Sequence, residues 1–367
     1  MEIDIRFNEE DWQRLERDWS AWWAGELDRP MVMMETMNPL YSGGRKILTR
    51  EWMLEKPVDE VLDFFQALLE GGDYFGDAWP KFFYNHGPGI AAGFLGADVQ
   101  SMPDQHTIWF EAKEPVTVTD LHLEYYPADE WWQRVKSLTR GAVERWGNQV
   151  AVAHTDIGGN LDILASFVTT NQLLLELYDS PDDVMRLSRE ITDVWIHYYN
   201  ELYEIIQKAG RGTCNWAAVW SPGRTCMHQS DFCYMISPQM FERFVLPDLY
   251  ACFEIMDHAC YHLDGKGQIP HLDMLLSMEN LACIQWIPGA GQPEAEQWPE
   301  LLKRIIDGGK RCQVYVSAEG ARKIVREIGG KGFALYVIGP GTRQEAEDFL
   351  KVLAEEDISR KNKNVRR

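Results

Sequence analysis

Two rhythms of apolar residues alternate along this chain. One recurs every three to four residues, as on one face of a helix. The other packs short apolar runs between turn signals, as in a buried strand. The helical rhythm appears first. Trp12, Leu15, Trp19, Trp22 and Trp23 stand among charges across residues 9–27, behind a suitable N-cap at Asn8. Arg29-Pro30 ends that stretch, and Met31-Val32-Met33-Met34-Glu35 reads as a first strand. A helix over 58–69 closes at Gly71-Gly72. A second strand is placed near Lys81–Tyr84, with Asn85-His86-Gly87 at its end. Residues 98–118 alternate like a β excursion that stands off the main fold, and 127–146 are helical.

The strand rhythm then repeats in order. Val150-Ala151-Val152-Ala153 forms a third strand that stops at His154-Thr155-Asp156 before glycines. Helices over 161–178 and 182–208 follow, with Ser180-Pro181 as a start signal between them. Residues 212–219 read as a fourth strand ending near Trp220, and 221–236 as irregular. After a helix over 237–256 comes Ala259-Cys260-Tyr261-His262-Leu263-Asp264-Gly265, a second apolar strand ending in His-x-Asp. Three more strands, near 282–286, 312–316 and 333–337, each precede a helix. About eight strand-helix alternations predict an α/β fold, a (β/α)8 TIM-type barrel with an N-terminal helical extension. An open doubly wound sheet is the rival, weakened because no GxGxxG follows the first strand. One domain over 1–367 is expected, with residues 1–30 as the extension and a frayed basic tail over 357–367.

Composition narrows the class. The chain has 367 residues, and 45% hydrophobic with 25% charged is ordinary for a globular protein. A formal net charge of −21 argues against nucleic acid, which needs a basic face. The sequence starts with acidic residues rather than a basic and apolar leader, and no long uninterrupted apolar window is present, so no membrane association is expected. Seven cysteines without a CxxC pair read as reduced thiols of a cytoplasmic protein.

The run Ile236-Ser237-Pro238-Gln239-Met240-Phe241-Glu242-Arg243-Phe244-Val245-Leu246-Pro247, followed by the strand ending in His262-x-Asp264-Gly265, resembles the uroporphyrinogen decarboxylase superfamily. That superfamily holds the decarboxylases and the corrinoid-linked methyltransferases. The likeness is strongest over 221–291 and implies a barrel with its site at the strand carboxyl ends. Two departures matter. The decarboxylases' arginine-rich segment after the first strand is replaced here by 35–45, with Arg45 alone, whereas a poly-acid needs several cations. The methyltransferases' zinc-binding His-x-Cys is matched at His262, but Asp264 replaces the cysteine, and the later cysteine position falls near 338–340, where none occurs.

The resemblance implies a methyltransferase-type enzyme acting on a small methylated compound, with a corrinoid protein as partner. The alternative is a metal- or carboxylate-dependent lyase or hydrolase on a small carbohydrate-like or aromatic molecule; true porphyrinogen decarboxylation ranks last. The catalytic candidates are His262, Asp264, Glu319 and Asp231. His262 and Asp264 project to one side of their strand and are candidate ligands of a divalent metal such as zinc. His154, Asp156, Trp220, Gln285, Trp286 and His86 are candidate substrate contacts, and Trp216 is a further strand-end tryptophan. The tryptophan stripe of the first helix hints at a homodimer.

Overall fold

A computed structural model describes residues 3–36, 44–114, 116–339 and 342–365. Strand β1 (Met31–Glu35) is followed by β2 (Tyr74–Gly76), β3 (Lys81–Phe82), β4 (Asp98–Met102), β5 (Thr107–Glu111) and β6 (Ala151–Val152). Then come β7 (Thr213–Cys214), β8 (Trp220–Ser221), β9 (Thr225–Gln229), β10 (His258–Asp264), β11 (Leu281–Ile287), β12 (Arg311–Ser317) and β13 (Phe333–Ile338). A seven-stranded sheet runs β2-β1-β13-β12-β11-β10-β9, parallel throughout except for the β2 edge. Strands β3 and β6 form a separate parallel pair, and an isolated bridge from Ala153 to Cys214 links β6 to β7. The α/β expectation is met. The described ladders do not run as one hydrogen-bonded ring.

Alternation along the strands sorts the apolar residues into two cores. Val32, Met34, Tyr261, Leu263, Ile284, Trp286, Leu335 and Val337 face the helices. Met31, Met33, Ala151, Ala153, Cys214, Met227, Cys260, Cys283, Ala334 and Tyr336 face the opposite way, toward one another. Six of these ten are alanine or cysteine, small side chains that let the strands of this face pack closely. A buried ion pair, Lys81 with Glu35, sits there too, with the Tyr336 hydroxyl 3.4 Å from the same carboxylate.

The first helix, α1 (Glu9–Ala24), explains its own tryptophans. Asn8 caps it in a capping box with Asp11, and Gly25 ends it in the left-handed conformation, at φ 76°. Trp22 donates to the Phe333 carbonyl, Trp23 to the Trp220 carbonyl, and the Arg311 guanidinium donates back to the Trp22 carbonyl. Trp23 also stacks on His258 with centroids 4.3 Å apart. Phe333, Arg311 and His258 are the first residues of their strands, so α1 covers the amino ends of the sheet. The stripe is consumed inside the chain and gives no support to a homodimer.

Three expectations need correction. The fourth strand shrinks to β7, because the Asn215 side chain accepts from the Ala217 and Val219 amides and turns the chain back into β8. The stretch taken as irregular contains β9, whose five residues are all buried and pair with β10. Its Thr-Cys-Met-His-Gln composition carries no apolar alternation, so the pattern missed it. The tail expected to fray is helix: residues Arg343–Val365 form one helix, held by Lys361 to Asp357 and by Arg360 to the Ile328 carbonyl. The hairpin of β4 and β5 fits the expected excursion. No helix among the described residues is long and apolar enough to cross a membrane.

Candidate functional site

A cavity of about 610 Å³ opens beyond the carboxyl ends of the strands. Phe83 and Asn85 reach it from the end of β3, Asp156 from beyond β6, and Trp216 from the turn after β7. Gln229 and Asp231 come from the end of β9, His262 from β10 and Tyr315 from β12, while Leu48 at the end of the 3-10 turn Gly44–Leu48, Pro88 after β3 and His106 in the turn between β4 and β5 add to the wall. Strand carboxyl ends are where ligands bind in parallel α/β folds. Glycines make the close approach feasible: a Cβ on Gly159 would lie 1.7 Å from the Gln229 carbonyl oxygen, and one on Gly158 2.6 Å from the Gly89 Cα.

His262 is the centre of the polar side. It is 8% exposed, and its Nδ1 lies 2.5 Å from the Gln285 Oε1. That carbonyl accepts the Nδ1 proton and leaves Nε2 with a free lone pair. His262 follows Cys260 on the inner face, and Gln285 is its register partner in β11. Asp231, His262 and Asp264 offer ligand atoms that all lie within 4.8 Å of one another. One imidazole and two carboxylates suit zinc or a harder divalent ion.

Burial raises the pKa of Asp156, Asp162 and Asp264, and the Asp231 charge adds to each. Asp162, unnoticed in the sequence, accepts from the Asp231 and Phe232 amides at 2.8 Å and so fixes the Asp231 loop. Burial pushes its acidity down, and the Asp231 charge adds to the effect. Asp156 accepts from the Gly158 amide at 2.9 Å and from the Gln229 amide at 3.3 Å. Burial nevertheless raises its pKa to about 7, against those hydrogen bonds and with help from Asp231. Asp264 is raised by burial and by Asp231, while His262 acts in the opposite sense. A group that titrates near neutrality can give or take a proton.

The structure therefore gathers Asp156, Asp231, His262 and Asp264, with Gln285 behind His262. It removes four other candidates. Glu319 lies in the first turn of helix Ala318–Glu327 on the surface, paired with Arg326 at 2.6 Å and Arg322 at 3.2 Å. An acid there faces solvent and complements the helix dipole. Trp220 belongs to the opposite end of the sheet, where its indole donates to the Arg211 carbonyl. Trp286 is one residue out of phase with Gln285 and packs edge-on against Trp298, with centroids 5.2 Å apart, among the helices. His86 is buried against Tyr84, 4.6 Å between centroids; burial and the Arg134 charge lower its pKa to about 3. Its neighbour Asn85 takes the cavity position instead.

His154 holds an intermediate place. It is 4% exposed and stacks on Tyr199 at 4.2 Å, in the wall of a side alcove of about 20 Å³ that Asp156 and Trp216 share with the main cavity. Burial, with the Arg224 charge, keeps its pKa near 3 and the ring neutral. Of the strand-end tryptophans, Trp216 is the one in the cavity, edge-on to His262 with centroids 5.1 Å apart. Gln229, Tyr315 and Phe83 went unread because a single glutamine or aromatic at a strand end carries no spacing signal. Residues 37–43 and 340, where the departures from the superfamily pattern partly fall, lie outside the described residues. Arg45 is exposed and paired with Asp104 at 2.8 Å.

No family model matches this chain, and no curated protein matches it in sequence. Among solved structures, it is similar to a B12-independent methionine synthase from Shewanella sp. W3-18-1 in complex with selenomethionine. The two share 11% identity over 75% of this chain and 77% of that one, with a TM-score of 0.33.

Proposed function

We propose that this chain is a methyltransferase-type enzyme of the uroporphyrinogen decarboxylase superfamily, built as a single-domain barrel. In this reading it binds a divalent metal between Asp231, His262 and Asp264 and acts on a small methylated molecule. A corrinoid protein is the partner this reading calls for. The observation that carries it is the convergence of one imidazole and two carboxylates within 4.8 Å, with His262 and Asp231 in the wall of the large cavity and Asp264 beside them. A bound metal would supply Lewis acidity there. Gln285 fixes the His262 tautomer, and Asp162 fixes the loop that presents Asp231. Asp156, half-titrated near neutrality, holds or releases a proton from its own place in the cavity wall. Among the described residues no lysine or arginine lines the cavity, which speaks against a poly-acid such as a porphyrinogen.

The raised pKa of Asp156 favours a second reading, a lyase or hydrolase driven by carboxylate acid-base chemistry. Metal analysis of chelator-free protein separates the two. About one zinc or similar ion per chain, lost in Asp264→Ala at unchanged melting temperature, is the expected outcome. Metal-free wild-type protein that refuses added zinc overturns the metal centre and leaves the acid-base reading.

A further inference from the structure

The main cavity carries more information about its ligand than the metal cluster alone. Its walls combine the aromatic side chains Phe83, Trp216 and Tyr315 with the carboxylates Asp156 and Asp231, and Asp264 adjoins them. Among the described residues no lysine or arginine lines the cavity; the ionisable groups of opposite tendency in the lining are His262 and His106. Asp156 accepts hydrogen bonds from the Gly158 amide and the Gln229 side chain, both neutral donors, so its charge has no ionic partner among them.

A second observation points to a ligand at the Asp156 side. His154 is buried beside it with both ring nitrogens unpartnered, in the alcove bounded by Asp156 and Trp216. The ring stays neutral, so it offers a lone pair without opposing a positive charge. An uncompensated carboxylate, an aromatic wall and a neutral acceptor are together the groups that recognise a desolvated organic cation.

We infer that the cavity takes a substrate bearing an ammonium group, seated between Asp156 and the rings of Trp216, Phe83 and Tyr315. The inference rests on the reading of this cavity as the active site and names the substrate class for it. Asp156 is not one of the three groups of the Asp231, His262 and Asp264 cluster, so the two halves of the site can be tested separately.

The probe is choline, compared with its uncharged carbon isostere, which has the same shape with carbon in place of nitrogen. Calorimetric titrations are run on full-length protein at mildly alkaline pH, where Asp156 is ionised, both after chelator treatment and after zinc loading. Choline is expected to bind at least about tenfold more tightly than the isostere. Asp156→Asn and, independently, Trp216→Ala should each erase most of that preference while zinc content stays at the wild-type level. Equal affinity for the two probes in wild-type protein overturns the inference without recourse to any variant. So does a choline preference that survives both substitutions. Choline binding to protein that holds no zinc in either preparation upholds the inference and overturns only the metal centre. Zinc binding without a choline preference does the reverse.

Discussion

Gln285 and Trp286 are adjacent in the sequence and opposite in role. Gln285 points to the inner face and accepts from His262; Trp286 points into the helix layer against Trp298. A strand's period of two makes this outcome absolute, since a shift of one residue exchanges the faces. Gln285→Leu keeps the volume and removes the acceptor of the Nδ1 proton. It should weaken zinc binding about 10- to 100-fold in a chelator competition titration, with little change in melting temperature. Trp286→Ala should instead cost about 3–5 kcal/mol in urea unfolding. Ligand affinity of its folded fraction should stay at the wild-type value; a loss of affinity in well-folded protein would return Trp286 to the site. Asn85 and His86 are likewise neighbours with opposite placements, Asn85 lining the cavity and His86 buried against Tyr84.

Elements were legible where a periodic apolar face announced them. Helix α1 is legible in its tryptophan spacing and Asn8 cap, though it ends at Ala24, short of the expected 27, and what the tryptophans cover is not in the pattern. They seal the amino ends of β10, β12 and β13, far in sequence from residues 9–24. Trp22→Ala should therefore destabilise the whole sheet by about 3–5 kcal/mol, measured by denaturant unfolding, and leave choline affinity untouched. The short strands were harder. Two-residue β7 and the polar β9 have too few apolar positions for a period to show. The Lys81 and Glu35 pair was equally hidden, because β1 and β3 meet only in the folded chain. Lys81→Met alone should cost about 3–5 kcal/mol by stranding a buried carboxylate, and adding Glu35→Leu should restore most of that. Failure of the double variant to recover would mean that the pair does more than neutralise itself.

For the whole molecule, the crowded carboxylates tie stability to pH. Asp156 has a folded pKa of about 7 against an ordinary 3.8, so the folded chain keeps a proton that the unfolded chain has released. Its contribution to stability therefore falls as pH rises from 3.8 to about 7 and is lost above that. Asp156→Asn should gain stability over wild type across this window, reaching about 1–3 kcal/mol at the alkaline end, as read from melting curves. A gain that stays constant with pH would show that Asp156 is not raised. His86 and His154 act in the opposite direction, both lowered from 6.5 to about 3, so the fold loses stability as pH drops below 6.5. The comparison of variant with wild type isolates the carboxylate from them. The sequence by itself determined the α/β order, the first helix, the hairpin excursion and the His262-x-Asp264 strand end, because each is a local rhythm of apolar residues or a turn signal. Tertiary structure alone decided which residues share the cavity. Asp156, Trp216, Asp231 and His262 stand on different strand ends, and the phase of each side chain and the distance between strands are set by packing, which no local pattern records.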